Sequence, residues 1–590
     1  YEMFFEDAVR AAPLLEVTLT ARQKGTESEA PMCGVPHHAL GTYLAKLLKA
    51  GEKVAICDQV EDPAQAKGLV RREVTRVVTP GTLTDPELLP GDQANYLAST
   101  LWSDGRGGAA FLDVSTGDFL VRRWQSIESA IDDLALLQPP EILVPDSGMP
   151  EAIQQWLEDR DVCVTPMTLD HWPNSGQANQ ILERQLGTAT LKGFGIESDE
   201  PAVRAAAQAL RYARETQRSD LSHVRTLRVD SRSDSLVLDA VTLANLEVFR
   251  CQRDGRRRGT LLWVVDRTTT PPGGRLLREW LQRPLRDPQA IESRLEAVQE
   301  LLENRGQRNR LSELLGGVGD PERLVSRAVL GLLTPREAAA LRDGLAAVPS
   351  ILAELAQGRA PILRDIAETD PVADLARLLA ETLEDTPALS VKQGGVIRAA
   401  VDEELERHRS LARNSRKHIL ALEKRERERT GIGSLKIRFN KVFGYYLEVT
   451  KANQDLVPDD YIRKQTLVNS ERYVTAELKE LEERILAAEE AQVALEEEPF
   501  RRLEGEVVAA APRLRALSRS LATLDVLLGF ADAAARGRYV RPRIESAGSG
   551  IVIREGRHPV VEAMSSEPFV PNDCELDGEG AQIVILTGPN

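Results

Sequence analysis

The apolar positions of this chain change their period twice. Across 1–86 they fall in short runs such as Lys53-Val54-Ala55-Ile56-Cys57 and Val74-Thr75-Arg76-Val77-Val78, the second closed by Pro80-Gly81. Mixed with helical stretches, these runs predict a small α/β domain. The Pro-, Asp- and Gly-rich segment 83–95 reads as a linker. After it, 109–114, the turn Ser115-Thr116-Gly117-Asp118 and Phe119-Leu120-Val121 predict strand, turn, strand, with Gly117 suited to positive φ. The run Glu141-Ile142-Leu143-Val144 predicts a buried strand, so 91–222 is a second α/β unit.

From about 228 the period becomes helical, with Leu236, Ala240, Leu243 and Leu246 on one helix face. Beta signals interrupt this region once, at 434–451. Leu435, Ile437 and Phe439 alternate with Lys436, Arg438 and Asn440, which puts apolar residues on one sheet face and polar or basic residues on the other. Tyr445-Tyr446-Leu447-Glu448-Val449 supplies a second strand. Helical arms are predicted on either side, at about 397–429 and 470–498, each reaching roughly 45 Å at 1.5 Å per residue. Two such arms carrying a sheet form a lever or clamp; a dimerising coiled coil is the competing reading. The run 582–588 returns to strand character and is followed by Pro589 and Asn590.

A chain of 590 residues exceeds one core and predicts about four domains. No run of ~18 apolar residues offers a membrane span. The chain starts at Tyr1 rather than Met, so a true N-terminus is expected further upstream. Cys33, Cys57, Cys163, Cys251 and Cys574 are too scattered for a disulfide framework and point to a reducing, cytosolic compartment. Cys33, His37, His38 and Cys57 lack regular zinc spacing, so buried thiols and no structural metal are expected. Asp113 has no companion cluster of the kind a nuclease metal needs.

Charge changes the picture more. The chain carries −16, which alone disfavours a polyanion partner. Residues 407–441 nevertheless hold twelve Lys/Arg against three acids, a local +9. That is the footprint of phosphate binding confined to one place, with a solvated helical face as the alternative.

Several segments together resemble the MutS family. Tyr1-Glu2-Met3-Phe4-Phe5-Glu6-Asp7-Ala8, Pro31-Met32-Cys33-Gly34-Val35-Pro36-His37-His38 and Val78-Thr79-Pro80-Gly81-Thr82 look like its mismatch-binding domain. Gly259-Thr260-Leu261-Leu262-Trp263, Asp266-Arg267-Thr268 and Arg275-Leu276-Leu277 look like its core. Phe439-Asn440, Gly444-Tyr445-Tyr446, Gln465-Thr466-Leu467, Asn469 and Glu471-Arg472-Tyr473 look like its clamp. Glu555-Gly556-Arg557-His558-Pro559-Val560 and Leu586-Thr587-Gly588-Pro589-Asn590 resemble the opening of its ATPase domain. The order is the family's, over essentially the whole chain.

The resemblance implies a multidomain α/β plus mainly α architecture: two N-terminal α/β domains, a long-helix core with an inserted β-tipped clamp, and the first strands of a P-loop ATPase domain. The boundaries it implies are 1–86 for mismatch binding, 91–222 for the connector, 228–415 and 476–540 for the core, 416–475 for the clamp and 541–590 for the start of the ATPase domain. The family's Phe-x-Glu motif places Glu2 at the mispaired base, with the wedging aromatic expected just before Tyr1. A mismatch lowers the cost of unstacking and kinking, so recognition is chiefly of deformability.

The resemblance also assigns Asn440 and Asn469 to the DNA backbone, and the basic pattern adds Lys436, Arg438, Lys441, Arg463 and Lys464, contacts that position rather than specify. Phe569 matches the position that stacks on adenine, and Gly588, Pro589 and Asn590 would line phosphates. Only the first glycine of Gly-x-x-x-x-Gly-Lys-Ser/Thr is present, so no hydrolysis by this chain is expected. The whole protein is expected to be a bacterial, cytoplasmic, nucleoid-associated homodimer and a weak DNA-dependent ATPase using ATP and Mg²⁺. It would bind and bend duplex DNA with mismatches or small loops, switch to a sliding clamp and recruit a MutL-type partner. The alternatives are a family member without mismatch specificity and a structural coiled-coil protein.

Overall fold

The computed structural model describes residues 1–26, 28–61, 70–160, 162–196, 201–229, 235–440, 444–545, 550–577, 580 and 582–585. These form two compact units, one of Tyr1–Leu332, Asp343–Val372 and Val508–Asn590, the other of Leu333–Arg342 and Ala373–Val507.

In the first unit, strands Glu2–Phe4 and Thr20–Arg22 flank Ala30–Gly34 in an antiparallel sheet. Helix Phe5–Leu15 buries Ala8, Ala11, Ala12 and Leu15 against Cys33, Val35 and Leu47. The ribbon Val54–Gln59 with Arg72–Val78 completes this region. Next comes a six-stranded mixed sheet in the order Cys163–Met167, Glu141–Pro145, Leu97–Ser103, Arg106–Asp113, Asp118–Trp124, Arg228–Val229. Both faces are covered, which is why strand Arg106–Asp113 is buried from Gly107 onward rather than alternating. The alanine-rich helix Pro201–Gln217 lies so close that a Cβ at Gly108 would sit 2.3 Å from the Ala202 nitrogen, so a strand-interior glycine is required there.

The run predicted as a buried strand opens with a carboxylate, and the structure shows how it is tolerated. Glu141 is fully buried and accepts hydrogen bonds from the Thr79 hydroxyl, the Gly81 N–H (3.1 Å), the Thr165 hydroxyl (2.8 Å) and the Tyr212 hydroxyl (2.7 Å), with Lys53 Nζ at 3.3 Å. Val78-Thr79-Pro80-Gly81-Thr82 thus serves as a socket joining the N-terminal region to the sheet. Segment 83–95, expected as a linker, is held by cations of the helical core. Arg275 donates to the Gly91 carbonyl, Arg278 pairs with Asp92 and Arg323 donates to the Gln93 carbonyl.

In the helical part, Asp525 of helix Ala511–Gly537 accepts from the backbone N–H and the hydroxyl of both Thr269 and Thr270, fastening the start of helix Pro271–Gln282. The helix face predicted at 236–246 shrinks to Ala240–Asn245. Leu243 is buried, but Leu236 and Leu246 are exposed, because Leu236 lies in an extended segment beside Pro284 and Leu246 caps the short helix. At the other end, Ile551–Gly556 pairs with Asn572–Leu576. The strand expected at 582–588 is not formed over 582–585, where Ile583 and Ile585 are 82% exposed. An apolar run becomes a strand only with a ladder partner, and none reaches it among the described residues. Leu586 to Asn590 lie outside them.

The second unit is built on two long helices, Glu403–Thr430 and Ala476–Ala509. The first begins at 403 rather than 397 because Asp402 caps it, its carboxylate accepting from the N–H groups of Glu404 and Leu405. The second begins at 476 rather than 470 because Ser470–Val474 is a strand. The sheet between the helices has four strands, not two, in the order Lys436–Asn440, Gly444–Thr450, Ser470–Val474, Ile462–Thr466. The polar composition of the last two hid them.

Candidate nucleic-acid interface

The pleat divides this four-stranded sheet into two faces. Ile437 pairs with Leu447 and Leu447 with Tyr473, and this side packs on Ile419, Leu422, Leu478, Leu481 and Ile485 of the two helices. The opposite side carries Lys436 across from Glu448, Glu448 across from Arg472, Arg472 across from Gln465, and Arg438 across from Tyr446. The expected alternation therefore holds, except that Phe439 is half-exposed and leans on Tyr445 with ring centroids 5.0 Å apart.

On that outer face Lys436 is exposed and has no ion-pair partner among the described residues. Arg438 is 3.6 Å from Glu448, a loose pair. The Arg472 guanidinium lies over the Tyr446 ring, 4.4 Å from its centroid, and donates to Gln465 Oε1 at 2.7 Å. Tyr446 is a buried platform that fixes the cation. Arg472 is not among the basic residues picked out from 434–451; a period-2 reading of 470–474, in which Glu471 and Tyr473 point inward and Arg472 outward, finds it.

Other expected contacts are placed differently. Arg463 pairs with Tyr473 in register, on the helix-facing side, and forms an ion pair with the buried Glu471 at 3.3 Å. The Tyr473 hydroxyl, then Arg463, holds the Glu471 carboxyl below its ordinary range. Lys464 stands at the register shift of the edge strand and is exposed. Asn440 pairs with Gly444, whereas the exposed Asn469 lies past the Thr450–Ser470 pair, its carbonyl accepting from the Lys451 N–H. The two asparagines are therefore at opposite ends of the sheet, ~20 Å apart. Lys441 lies outside the described residues.

The +9 segment is partly neutralised by acids outside it, Glu384, Asp460, Glu477, Glu489 and Glu496, while Glu423 and Glu426 pair within it. Arg409 pairs with Glu384 and Glu496, Arg416 with Glu489, Arg425 with Glu477, Arg427 with Glu423, and Arg429 with Glu426 and Asp460. Arg407, Lys417 and Lys424 are exposed and have no ion-pair partner among the described residues.

In the first unit Glu2 sits in the strand Glu2–Phe4 opposite Gly34 and is exposed. Its neighbour Tyr1 is fixed from three sides. It exchanges backbone hydrogen bonds with Val35, stacks on His37 at 5.2 Å and donates its hydroxyl to Asp58 at 2.7 Å. Burial, then Asp58, raises the Tyr1 hydroxyl to about 12. Cys33 is buried under helix Phe5–Leu15, as expected of a buried thiol, whereas Cys57, on the ribbon Val54–Gln59, is exposed and departs from that expectation. Phe569 is half-buried in the segment before strand Asn572–Leu576; Gly588, Pro589 and Asn590 lie outside the described residues.

Residues 1–87 match the model for MutS domain I, 95–225 that for MutS domain II and 241–531 that for MutS domain III. The chain is 45% identical to the DNA mismatch repair protein MutS of Myxococcus xanthus, covering 100% of this chain and 66% of that protein. It is 40% identical to that of Syntrophomonas wolfei (100% and 69%) and 42% identical to that of Methanothrix thermoacetophila (100% and 67%). The chain thus spans about two thirds of the length of these relatives.

Proposed function

Because the chain belongs to the MutS family, we propose that it is the DNA-binding body of a mismatch-recognition protein, gripping the duplex backbone with the outer face of the four-stranded sheet. The observation that carries this reading is the row Lys436, Arg438 and Arg472 on one face, backed by the Tyr446 platform. Guanidinium and ammonium groups on an open face neutralise phosphates and release counterions whatever the sequence. Asn440 and Asn469, one at each end of the sheet, contact separate phosphates in this reading. Lys441, Arg463 and Lys464 add charge around them.

In the same reading, 1–86 forms the mismatch-binding domain and Glu2 meets the base edge. Residues 91–222 form the connector, 228–415 and 476–540 the core, 416–475 the clamp and 541–590 the start of the ATPase domain. The socket around Glu141 and the arginines holding segment 83–95 tie the N-terminal region to helices Pro271–Gln282 and Pro321–Val329 of the first unit. A duplex that kinks easily costs less to unstack and bend, which is how deformability becomes preference for a mispair or small loop.

The whole protein is read as a homodimer that uses ATP and Mg²⁺ to switch to a sliding state and engages a MutL-type partner, in the cytoplasm at the nucleoid. Phe569 is half-buried and accessible enough to stack on a base, and Gly588, Pro589 and Asn590 match the opening of a P-loop whose lysine and hydroxyl would hold the phosphates and Mg²⁺. Among the described residues no helix is long and apolar enough to cross a membrane.

The test is fluorescence anisotropy of a duplex with one G·T mispair and of its matched twin, at fixed salt, with this chain and with a form extended at both ends to the length of its relatives. Tighter binding of the mispaired duplex by the extended form, relieved by ATP, is the expected result. Equal binding of both duplexes would overturn mismatch recognition and leave a general DNA clamp.

A further inference from the structure

A cleft of about 1560 Å³ opens in the first unit between the six-stranded sheet, residues 240–283 and helix Ala511–Gly537. Arginines gather on one wall of it. Arg515 donates to the carbonyl oxygens of His223 and Thr116, the latter at 2.7 Å, so its charge is held at the wall by backbone dipoles. Arg519 stands one helical turn further along the same face. Arg225, two residues past His223, uses its Nε on the Ser222 carbonyl at 2.9 Å, which leaves its two terminal nitrogens for other partners. Among the described residues none of the three has a carboxylate partner.

The acids nearby are already engaged. Asp118 is held by Arg228 and by the Tyr96 hydroxyl, Asp113 by the Asn95 N–H and by Ser115, and Glu322 by Arg275. Burial lowers the pKa of Arg515, the sign of a cation short of solvent, although the carboxylates of Glu322, Asp118 and Asp113 oppose the shift from a distance.

We infer that this cleft is a binding site for a multivalent oxyanion of the oligophosphate class, with Arg225 and Arg519 as direct contacts and Arg515 supplying charge behind them on the same wall. Guanidinium forks match phosphate oxygens two at a time. The volume exceeds the ~300–1,000 Å³ of ordinary small-molecule pockets, enough for a nucleotide-sized anion with its water. The site lies in the first unit, whereas the proposed DNA grip of the sheet lies in the second, so either reading can fail without the other.

The experiment is calorimetric titration of the 590-residue chain with sodium tripolyphosphate, without Mg²⁺ and at constant ionic strength. Saturable binding with one equivalent is expected. The double variant Arg225→Gln/Arg519→Gln should bind roughly tenfold or more weakly with unchanged circular dichroism and melting temperature, while Arg501→Gln, an exposed arginine of the second unit, should bind as the parent does. Excess duplex DNA should not displace the anion. Absence of saturable binding, equal binding by the double variant or displacement by duplex would overturn the site. Citrate, or an acidic peptide, binding as tightly as tripolyphosphate would overturn the phosphate assignment.

Discussion

The helix Glu403–Thr430 and the sheet that follows it are both basic in sequence, yet their cations do different things. On the helix, Arg409, Arg416 and Arg425 reach Glu496, Glu489 and Glu477 of the facing helix, so much of the local excess of charge is spent holding two helices together. On the outer face of the sheet, Lys436, Arg438 and Arg472 meet one carboxylate, Glu448, at loose distance, and Arg472 is braced by an aromatic ring instead of an acid. Cations braced by rings and left without close acids keep their charge for a partner. Cations matched by acids become structure.

The contrast can be broken most sharply at Glu496. It is fully buried and accepts from the N–H groups of Gly395 and Val396, from Gln492 and from Arg409. Glu496→Ala strands Arg409 and two backbone donors, so a loss of about 3–5 kcal/mol is expected, read as faster hydrogen exchange in both long helices. DNA affinity should fall with it only through unfolding.

Next in size is the triple variant Lys436→Ala/Arg438→Ala/Arg472→Ala. Its fold should persist, while the slope of log affinity against log salt falls by about 3 and affinity drops by roughly two orders of magnitude. Titration of DNA binding at several salt concentrations checks this. An unchanged slope would mean that the outer face does not meet phosphates.

A smaller effect separates the two sides of the sheet by pH. The Glu471 pKa is held below its ordinary 4.5 by the Tyr473 hydroxyl and Arg463, so the folded state binds fewer protons than the unfolded one. The stabilisation is full above pH ~4.5 and is lost as pH falls through the lowered value. The unfolding midpoint of the second unit should decline in that window, and Glu471→Gln should flatten the decline. Smallest of all is Arg416→Ala. Its pair with Glu489 is solvent-exposed, so a stability change within about 1 kcal/mol and DNA affinity within about twofold are expected by thermal denaturation and anisotropy.

Much of this architecture was legible in the residues. The strand, turn, strand around Gly117, the buried run at 141–144 and the two arms follow from apolar period, which reflects burial of one face and needs no knowledge of the partner. Strands Ile462–Thr466 and Ser470–Val474 were not legible, because the face they bury is carried by few residues and because Ser470–Val474 takes its register from Gly444–Thr450 and Ile462–Thr466 in turn from Ser470–Val474. Of the candidate interface, Lys436 and Arg438 were readable from alternation, whereas the separation of Asn440 from Asn469 and the pairing of the exposed Arg463 with Glu471 were not.

The sequence by itself determined the family, the order of its elements and the excess of positive charge at 407–441. Only tertiary structure decided which of those charges remain available, because Coulomb attraction acts over a few ångströms in space and the acids that answer Arg409, Arg416 and Arg425 lie on a helix that starts at Ala476. It likewise decided that Glu141 is a socket and not a flaw in a strand, since its five partners come from four separate segments that only the fold brings within hydrogen-bond reach.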